Sequence, residues 1–85
     1  MNSRHRQTLA ALFEIPTLAN IVFSEIEALL MALGYVRKEG AGCRVRFTKG
    51  IHRIAMHRPH PGKEAKRYQV EEVRSILTEA GIKPE

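Results

Sequence analysis

A chain of 85 residues is long enough for one compact domain with a modest core, and its 44% of hydrophobic residues exclude disorder throughout. Its formal charge of +5 favours a polyanion or an acidic protein as partner. The single cysteine, Cys43, excludes an internal disulfide framework, and no apolar run is long enough for a membrane span. The start "MNSRHRQT" lacks the apolar core of a signal peptide, so we expect a cytoplasmic protein.

Residues 1–20 are predicted to form an arm that is partly helical. Ser3 is the candidate N-cap, Leu9 and Leu12 lie on one side, and Pro16 stops the helix. This arm can pack on the body of the domain, residues 21–85, or on a second copy of the chain. A homodimer is therefore one of the predicted assemblies.

An amphipathic helix is predicted next, in "SEIEALLMALG". Ser24 and Glu27 have the spacing of a capping box, and Gly34 supplies a left-handed stop. The apolar positions at helical spacing predict a face that packs into the core: Ile26, Leu29, Leu30 and Leu33.

The apolar period then changes to two, which predicts three strands. "YVRK" is a short strand, "EGAG" a turn, and "CRVRFT" and "IHRIAMH" are two strands joined by a tight turn at Lys49 and Gly50. A two-residue loop at this place would set Arg46 opposite Arg53. It would also put Cys43, as a small hydrophobic residue, on the inner face.

The same alternation predicts a basic outer face on this hairpin. Arg44, Arg46, Arg53 and His57 project together from it, whereas His52 points inward as a histidine at the edge of the core. We expect Arg46 and Arg53, as like charges across two strands, to favour a bound anion. Guanidinium groups match phosphate oxygens, so this face is a candidate phosphate site.

The last helix is predicted in "YQVEEVRSILTEAGIKP", after a proline-rich connection. Val70, Val73 and Leu77 lie on one side, and Gly81 ends the helix. The chain therefore has an α+β fold in which a helix, a three-stranded antiparallel meander and a helix follow the N-terminal arm. The two helices are expected to cover the inner face of the sheet.

The histidines of "RFTKGIHRIAMHRPHPG" are the candidate chemical groups. His57 can remove the 2′-hydroxyl proton of RNA while Arg44, Arg46 and Arg53 hold the phosphate. His60 is the candidate acid or a further phosphate contact, and Arg58 is another candidate phosphate ligand. No metal site is predicted, because the histidines lack cysteine or carboxylate partners at a ligand spacing.

Three segments in this order resemble the HicA family of toxins from bacterial toxin-antitoxin systems: "EIEALLMALGYV", "EGAGCRVRFTKGIHRIAMHRPHP" and "VEEVRSILTEAGI". The resemblance covers about Phe23 to Ile82. It implies a fold like the double-stranded RNA-binding domain, and an endoribonuclease that cleaves messenger RNA without a metal or other cofactor. It also implies neutralisation by a HicB-like antitoxin that masks the active face.

The sequence departs from this family at one position. HicA toxins typically carry the catalytic histidine in a "GSH" motif, and the matching stretch here is "GCR", which ends at Arg44. Arginine stays protonated and cannot serve as a general base at neutral pH. Either His57, one diagonal step away, supplies the imidazole, or the domain binds RNA or its antitoxin with little cleavage. A protein-interaction domain with an acidic partner is a further hypothesis.

Overall fold

The computed structural model describes all 85 residues and contains three helices and one sheet. The helices are α1 (Ser3–Leu12), α2 (Phe23–Ala32) and α3 (Arg67–Glu79). The strands are β1 (Val36–Glu39), β2 (Arg44–Lys49) and β3 (His52–His57), and they form an antiparallel meander in the order β1-β2-β3. The predicted α+β class with helix, meander and helix is confirmed. None of the helices is long and apolar enough to cross a membrane.

The N-terminal arm forms α1, which packs on the rest of the chain. Its N-cap is Asn2 rather than the predicted Ser3, because the Asn2 side chain accepts the backbone N–H one turn ahead at 2.8 Å. Leu9 and Leu12 are buried in the common core. The guanidinium of Arg74 in α3 donates to the Leu12 carbonyl at 2.7 Å and so ties the end of α1 to α3.

Helix α2 begins one residue before the predicted N-cap, and the predicted capping box is wrong. Val22 precedes the helix without a side-chain cap, and the Phe23 N–H is satisfied by the Lys63 carbonyl at 2.8 Å. The neighbouring loop therefore fixes the helix start, and Ser24 lies in the first turn. Gly34 follows the helix with φ +100°, as expected for a left-handed stop. The apolar face is buried: Phe23, Ile26, Leu29 and Leu30.

The β2–β3 hairpin turns one residue later than predicted. Lys49 pairs with His52, so the two-residue loop is Gly50 and Ile51, and the register is shifted by two residues. Gly50 has φ +61°, and no non-glycine residue of the chain has a positive φ. The turns that suit such hairpins need a positive φ at the first central position, which glycine adopts freely and Lys49 would not.

One core joins the sheet to all three helices. The inner face of β2 and β3 contributes Val45, Phe47, Ile54 and Met56, and α3 contributes Val70, Val73 and Leu77, all of them buried. Cys43 does not join them and is exposed, contrary to the prediction. It precedes β2, outside the paired strands.

Candidate functional site

The side of the sheet opposite the core carries a basic surface, which we call the outer face. The two strand registers place these residues on it: Val36 and Lys38 of β1, Arg44, Arg46 and Thr48 of β2, and Arg53, Ala55 and His57 of β3. All are exposed except Thr48, which is half-buried. The face therefore presents four cations and one imidazole and no carboxylate.

Arg44 and His57 lie directly opposite each other across β2 and β3. The Arg58 N–H donates to the Cys43 carbonyl at 2.8 Å, while Arg44 uses its own backbone groups toward the turn that follows β1. Arg44 and His57 are thus a non-hydrogen-bonded pair, in which Cβ atoms of facing residues approach to about 4.5–5.5 Å. The guanidinium and the imidazole therefore leave the sheet side by side, closer than the predicted diagonal step.

The like-charge pair on this face involves β1 rather than β3. Arg46 faces Ala55 on β3, and Arg53 faces Thr48, so the predicted Arg46–Arg53 pair is wrong. Arg46 instead faces Lys38 on β1. Like charges directly opposite in a sheet cost roughly 0.2–1 kcal/mol, a cost that a bound anion would remove.

The cations of this face have no partner in the folded chain. The side chains of Lys38, Arg44, Arg46 and Arg53 make no hydrogen bond and no ion pair. Their donors are therefore free to bind an external anion without first breaking an internal contact.

A cleft of about 320 Å³ opens between the side chains at one end of the outer face. Its lining includes Lys38, Arg44, Arg46 and His57. One acidic residue, Glu39, also lines it, and its carboxylate is bound by Arg58. Positive side chains around a concave surface concentrate the electrostatic field there and attract anions. The cleft has room for about ten water molecules, by the volume that each takes in the liquid.

Three predicted site residues, Arg53, Arg58 and His60, lie outside the cleft. Arg53 is on the outer face but four residues along β3 from His57, which is roughly 13 Å of strand. His60 is exposed on the loop after β3. Lys38 lines the cleft but is not predicted from the sequence, because "YVRK" has two apolar residues followed by two basic ones and no alternation that assigns a face. No group of three or more His, Cys, Asp or Glu side chains is placed to hold a metal ion.

Arg58 points to the covered side of the sheet rather than to the outer face. Its Nη1 and Nη2 atoms donate to the two oxygens of Glu39 at 2.7 and 2.8 Å. Its Nε and Nη2 atoms also donate to Oε2 of Glu27, a buried carboxylate of α2, at 3.2 and 3.0 Å. All three nitrogens of the guanidinium are engaged, so we do not retain Arg58 among the candidate phosphate ligands.

The model of the HicA toxin family, described as the HicA toxin of bacterial toxin-antitoxin systems, matches residues 23–82. The chain belongs to this family. No match was found among the curated proteins or among the solved structures. The matched range begins at α2 and includes the whole sheet and α3, so the outer face belongs entirely to the HicA domain. Membership identifies the protein as a toxin of a toxin-antitoxin pair, and the family implies, in general terms, an RNA target and an antitoxin partner.

Within this HicA domain, the outer face relates the unusual arginine to a histidine. The "GCR" stretch predicts that Arg44 stands where the family typically has its catalytic histidine, and His57 is the residue directly opposite Arg44. The His57 imidazole thus lies in the same cleft as Arg44, on the neighbouring strand.

The contact between Glu39 and Arg58 makes the stability of this HicA domain sensitive to acid. The hydrogen bond from Arg58 lowers the pKa of Glu39, and the charges of Arg58 and Arg37 lower it further. A carboxyl whose pKa is depressed by folding stabilises the fold above its unfolded pKa, and this contribution is lost as the pH falls through the folded pKa. We expect the melting temperature to fall between pH 6 and pH 3, and to fall less in Glu39→Gln than in the wild type.

Thermal melts followed by circular dichroism measure this difference. Glu14→Gln is the control, because Glu14 is exposed and its carboxylate has no partner. If Glu39→Gln and Glu14→Gln retain the same pH dependence as the wild type, the Glu39–Arg58 contact does not contribute to stability.

Proposed function

We propose that this HicA toxin is an mRNA interferase, an endoribonuclease that works without a metal and is neutralised by a HicB-like antitoxin. The observation that carries the proposal is the pairing of Arg44 with His57 within a basic cleft. The arrangement offers a proton acceptor and phosphate-binding groups within one short distance.

The proposed reaction is attack of a ribose 2′-oxygen on the adjacent phosphorus. His57 takes the 2′-hydroxyl proton as the new oxygen–phosphorus bond forms, because imidazole is the side chain that exchanges protons near neutral pH. Arg44 and Arg46 donate hydrogen bonds to the phosphate oxygens, on which negative charge grows in the transition state. The bond to the 5′-oxygen of the next nucleotide breaks, leaving a 2′,3′-cyclic phosphate and a 5′-hydroxyl.

The leaving 5′-oxygen needs a proton, and His60 is the proposed donor. Three residues of chain span at most about 10–11 Å, so His60 lies within that reach of His57. Its exposed position on the loop leaves the imidazole free to approach a bound strand. Lys38, which was not predicted from the sequence, adds a positive charge to the site. Arg53 is the proposed contact to a phosphate farther along the RNA.

The second candidate function is an RNA-binding module that does not cleave. The arginine at the position of the family's catalytic histidine favours it, because a protonated guanidinium cannot act as a base. Such a module would use the same outer face. Its binding would weaken with salt, with a slope near −2 in a plot of log affinity against log salt for about three phosphate contacts on a single strand.

Incubation of the purified protein with end-labelled RNA in excess chelator tests the proposal. We expect discrete cleavage products that end in cyclic phosphate, at a rate that the chelator does not change. Intact RNA that is bound in a salt-dependent manner would support the non-cleaving module. A HicB-like antitoxin from the same operon should abolish both activities if it covers the outer face.

A further inference from the structure

The end of β3, which carries His57, is held by several contacts that have no role in the proposed reaction so far. β3 is an edge strand, and His57 is its last residue. The His57 side chain makes no hydrogen bond to another residue of the chain. The position of the imidazole therefore depends on how firmly the backbone of this strand end is held.

The peptide group between His57 and Arg58 is held from both sides. Its N–H, which belongs to Arg58, donates to the Cys43 carbonyl beside β2 at 2.8 Å. Its carbonyl, which belongs to His57, accepts from Nε2 of Gln69 in α3 at 2.7 Å. Gln69 is buried, and its Oε1 accepts the Lys66 N–H at 2.9 Å, so this amide is itself fixed in orientation.

The side chain of Arg58 adds a second set of restraints at the same place. It joins Glu39 at the end of β1 to Glu27 on α2, and both carboxylates are on the covered side of the sheet. Glu39 binds both Nη atoms in the fork-to-fork geometry that fixes orientation as well as distance. Contacts from β1, α2, α3 and the residue before β2 thus converge on the end of β3, at His57 and Arg58.

These restraints matter because strand ends, and edge strands in particular, otherwise open easily. Pro59 follows Arg58 and cannot donate a hydrogen bond to extend the sheet. Without the side-chain contacts of Arg58, the end of β3 would be held only by the Gln69 bond to the His57 carbonyl and by the backbone bond to Cys43. A displacement of about 1 Å at a reacting group can slow catalysis about 100-fold.

We propose that Arg58 is a positioning residue: it locks the end of β3 to β1 and α2, and so holds the His57 imidazole beside Arg44 in the cleft. This inference rests on the proposed function and deepens it, since it assigns a role to a residue that does not touch RNA. Lysine cannot replace Arg58 here, because a single ammonium group does not bind two carboxylates as a planar fork does.

The test compares Arg58→Ala and Arg58→Lys with the wild type and with Lys83→Ala, a control that removes one exposed positive charge near the C-terminus. Single-turnover cleavage, with the protein in saturating excess over the RNA, measures the chemical step. We expect both Arg58 variants to be slower by about 10- to 100-fold, and Lys83→Ala to be unchanged. RNA affinity should stay within about threefold of the wild type, and its salt slope should not change.

A phosphate ligand would behave differently. If Arg58→Ala weakens RNA binding and reduces the salt slope by about one unit, Arg58 contacts RNA directly and the inference is overturned. A cleavage rate equal to that of the wild type overturns it as well. Should Arg58→Ala fail to fold because Glu27 is left charged and unpaired, Arg58→Ala combined with Glu27→Gln removes that charge and keeps the test.

A readout that does not need cleavage separates this inference from the proposed function. The imidazole signals of His57 and His52 can be compared by ¹H–¹⁵N correlation spectroscopy, since both lie on β3 and only His57 is at the restrained end. In the Arg58 variants we expect the His57 signal to shift or broaden and the His52 signal to stay. An unchanged His57 signal would refute the positioning role, whereas absence of cleavage in the wild type would refute only the proposed function.

Discussion

We expect His57→Ala to slow RNA cleavage by about 100- to 10,000-fold, the range that a positioned general base contributes. The remaining residues of the cleft, Arg44 and Arg46 among them, still bind the phosphate, so RNA affinity should change little. Initial rates with labelled RNA, measured at saturating protein, give the effect on the chemical step. In cells that lack the antitoxin, the same substitution should relieve growth arrest.

An exchange of the two facing residues makes this prediction more specific. Arg44 and His57 are a direct non-hydrogen-bonded pair, so Arg44→His combined with His57→Arg keeps one imidazole and one guanidinium in the cleft. We expect the double variant to recover much of the rate that His57→Arg alone loses. It would also place the imidazole at the family's usual position.

Two results would count against the assignment of the base. Full toxicity and full cleavage by His57→Ala would show that the proton acceptor lies elsewhere, and His60→Ala would then be the next variant to measure. A loss of RNA binding equal to the loss of rate would show that His57 contributes to affinity and not to the chemical step.

Phe47→Ala should have the largest effect on stability. Phe47 is fully buried in the centre of the middle strand, and removal of a buried aromatic ring costs about 3–5 kcal/mol. A domain of this size has a free energy of unfolding of about 4–13 kcal/mol, so the substitution removes a large share of it. We expect the melting temperature to fall by roughly 12–40 °C, and the midpoint of urea unfolding to fall with it.

Ile51→Ala is the matched control for this prediction. It also truncates a large apolar residue of the same hairpin, but Ile51 is 95% exposed at the turn. Substitutions at such surface positions usually change stability by less than about 0.5 kcal/mol. If Phe47→Ala and Ile51→Ala are equally stable, the inner face of the sheet is not the packed side.

The sequence was sufficient to predict which residues lie on the outer face, but it was not sufficient to predict which residues face each other across the strands. Side chains alternate along a strand, so the observed shift of two residues leaves each residue on its predicted face. Arg44, Arg46, Arg53 and His57 therefore lie together as expected. The same shift changes every cross-strand partner, which is why Arg46 does not face Arg53 and why His57 faces Arg44.

The error in register came from the turn. A glycine flanked by Lys49 and Ile51 can be either central residue of a two-residue loop, and the apolar alternation is compatible with both. The positive φ falls on Gly50 as the first central residue, where no side chain has to adopt a left-handed conformation.

Arg58 shows a different limit of prediction from sequence. In the sequence it is one more arginine beside His57, and the sequence predicts a phosphate ligand there as for the other arginines. The two carboxylates that engage it are 31 and 19 residues away along the chain, and no local pattern connects them to it. Only the packing of α2 in the folded domain brings Glu27 to Arg58.

The order of helices and strands, the two faces of the sheet and the basic character of the outer one are determined by the sequence itself. They depend on local periodicity, on glycine positions and on charge, which are properties of neighbouring residues. The facing partners, the cleft between them and the choice of which arginines are free were decided by the tertiary structure. These features depend on turn geometry and on distant carboxylates, which act only after the chain has folded.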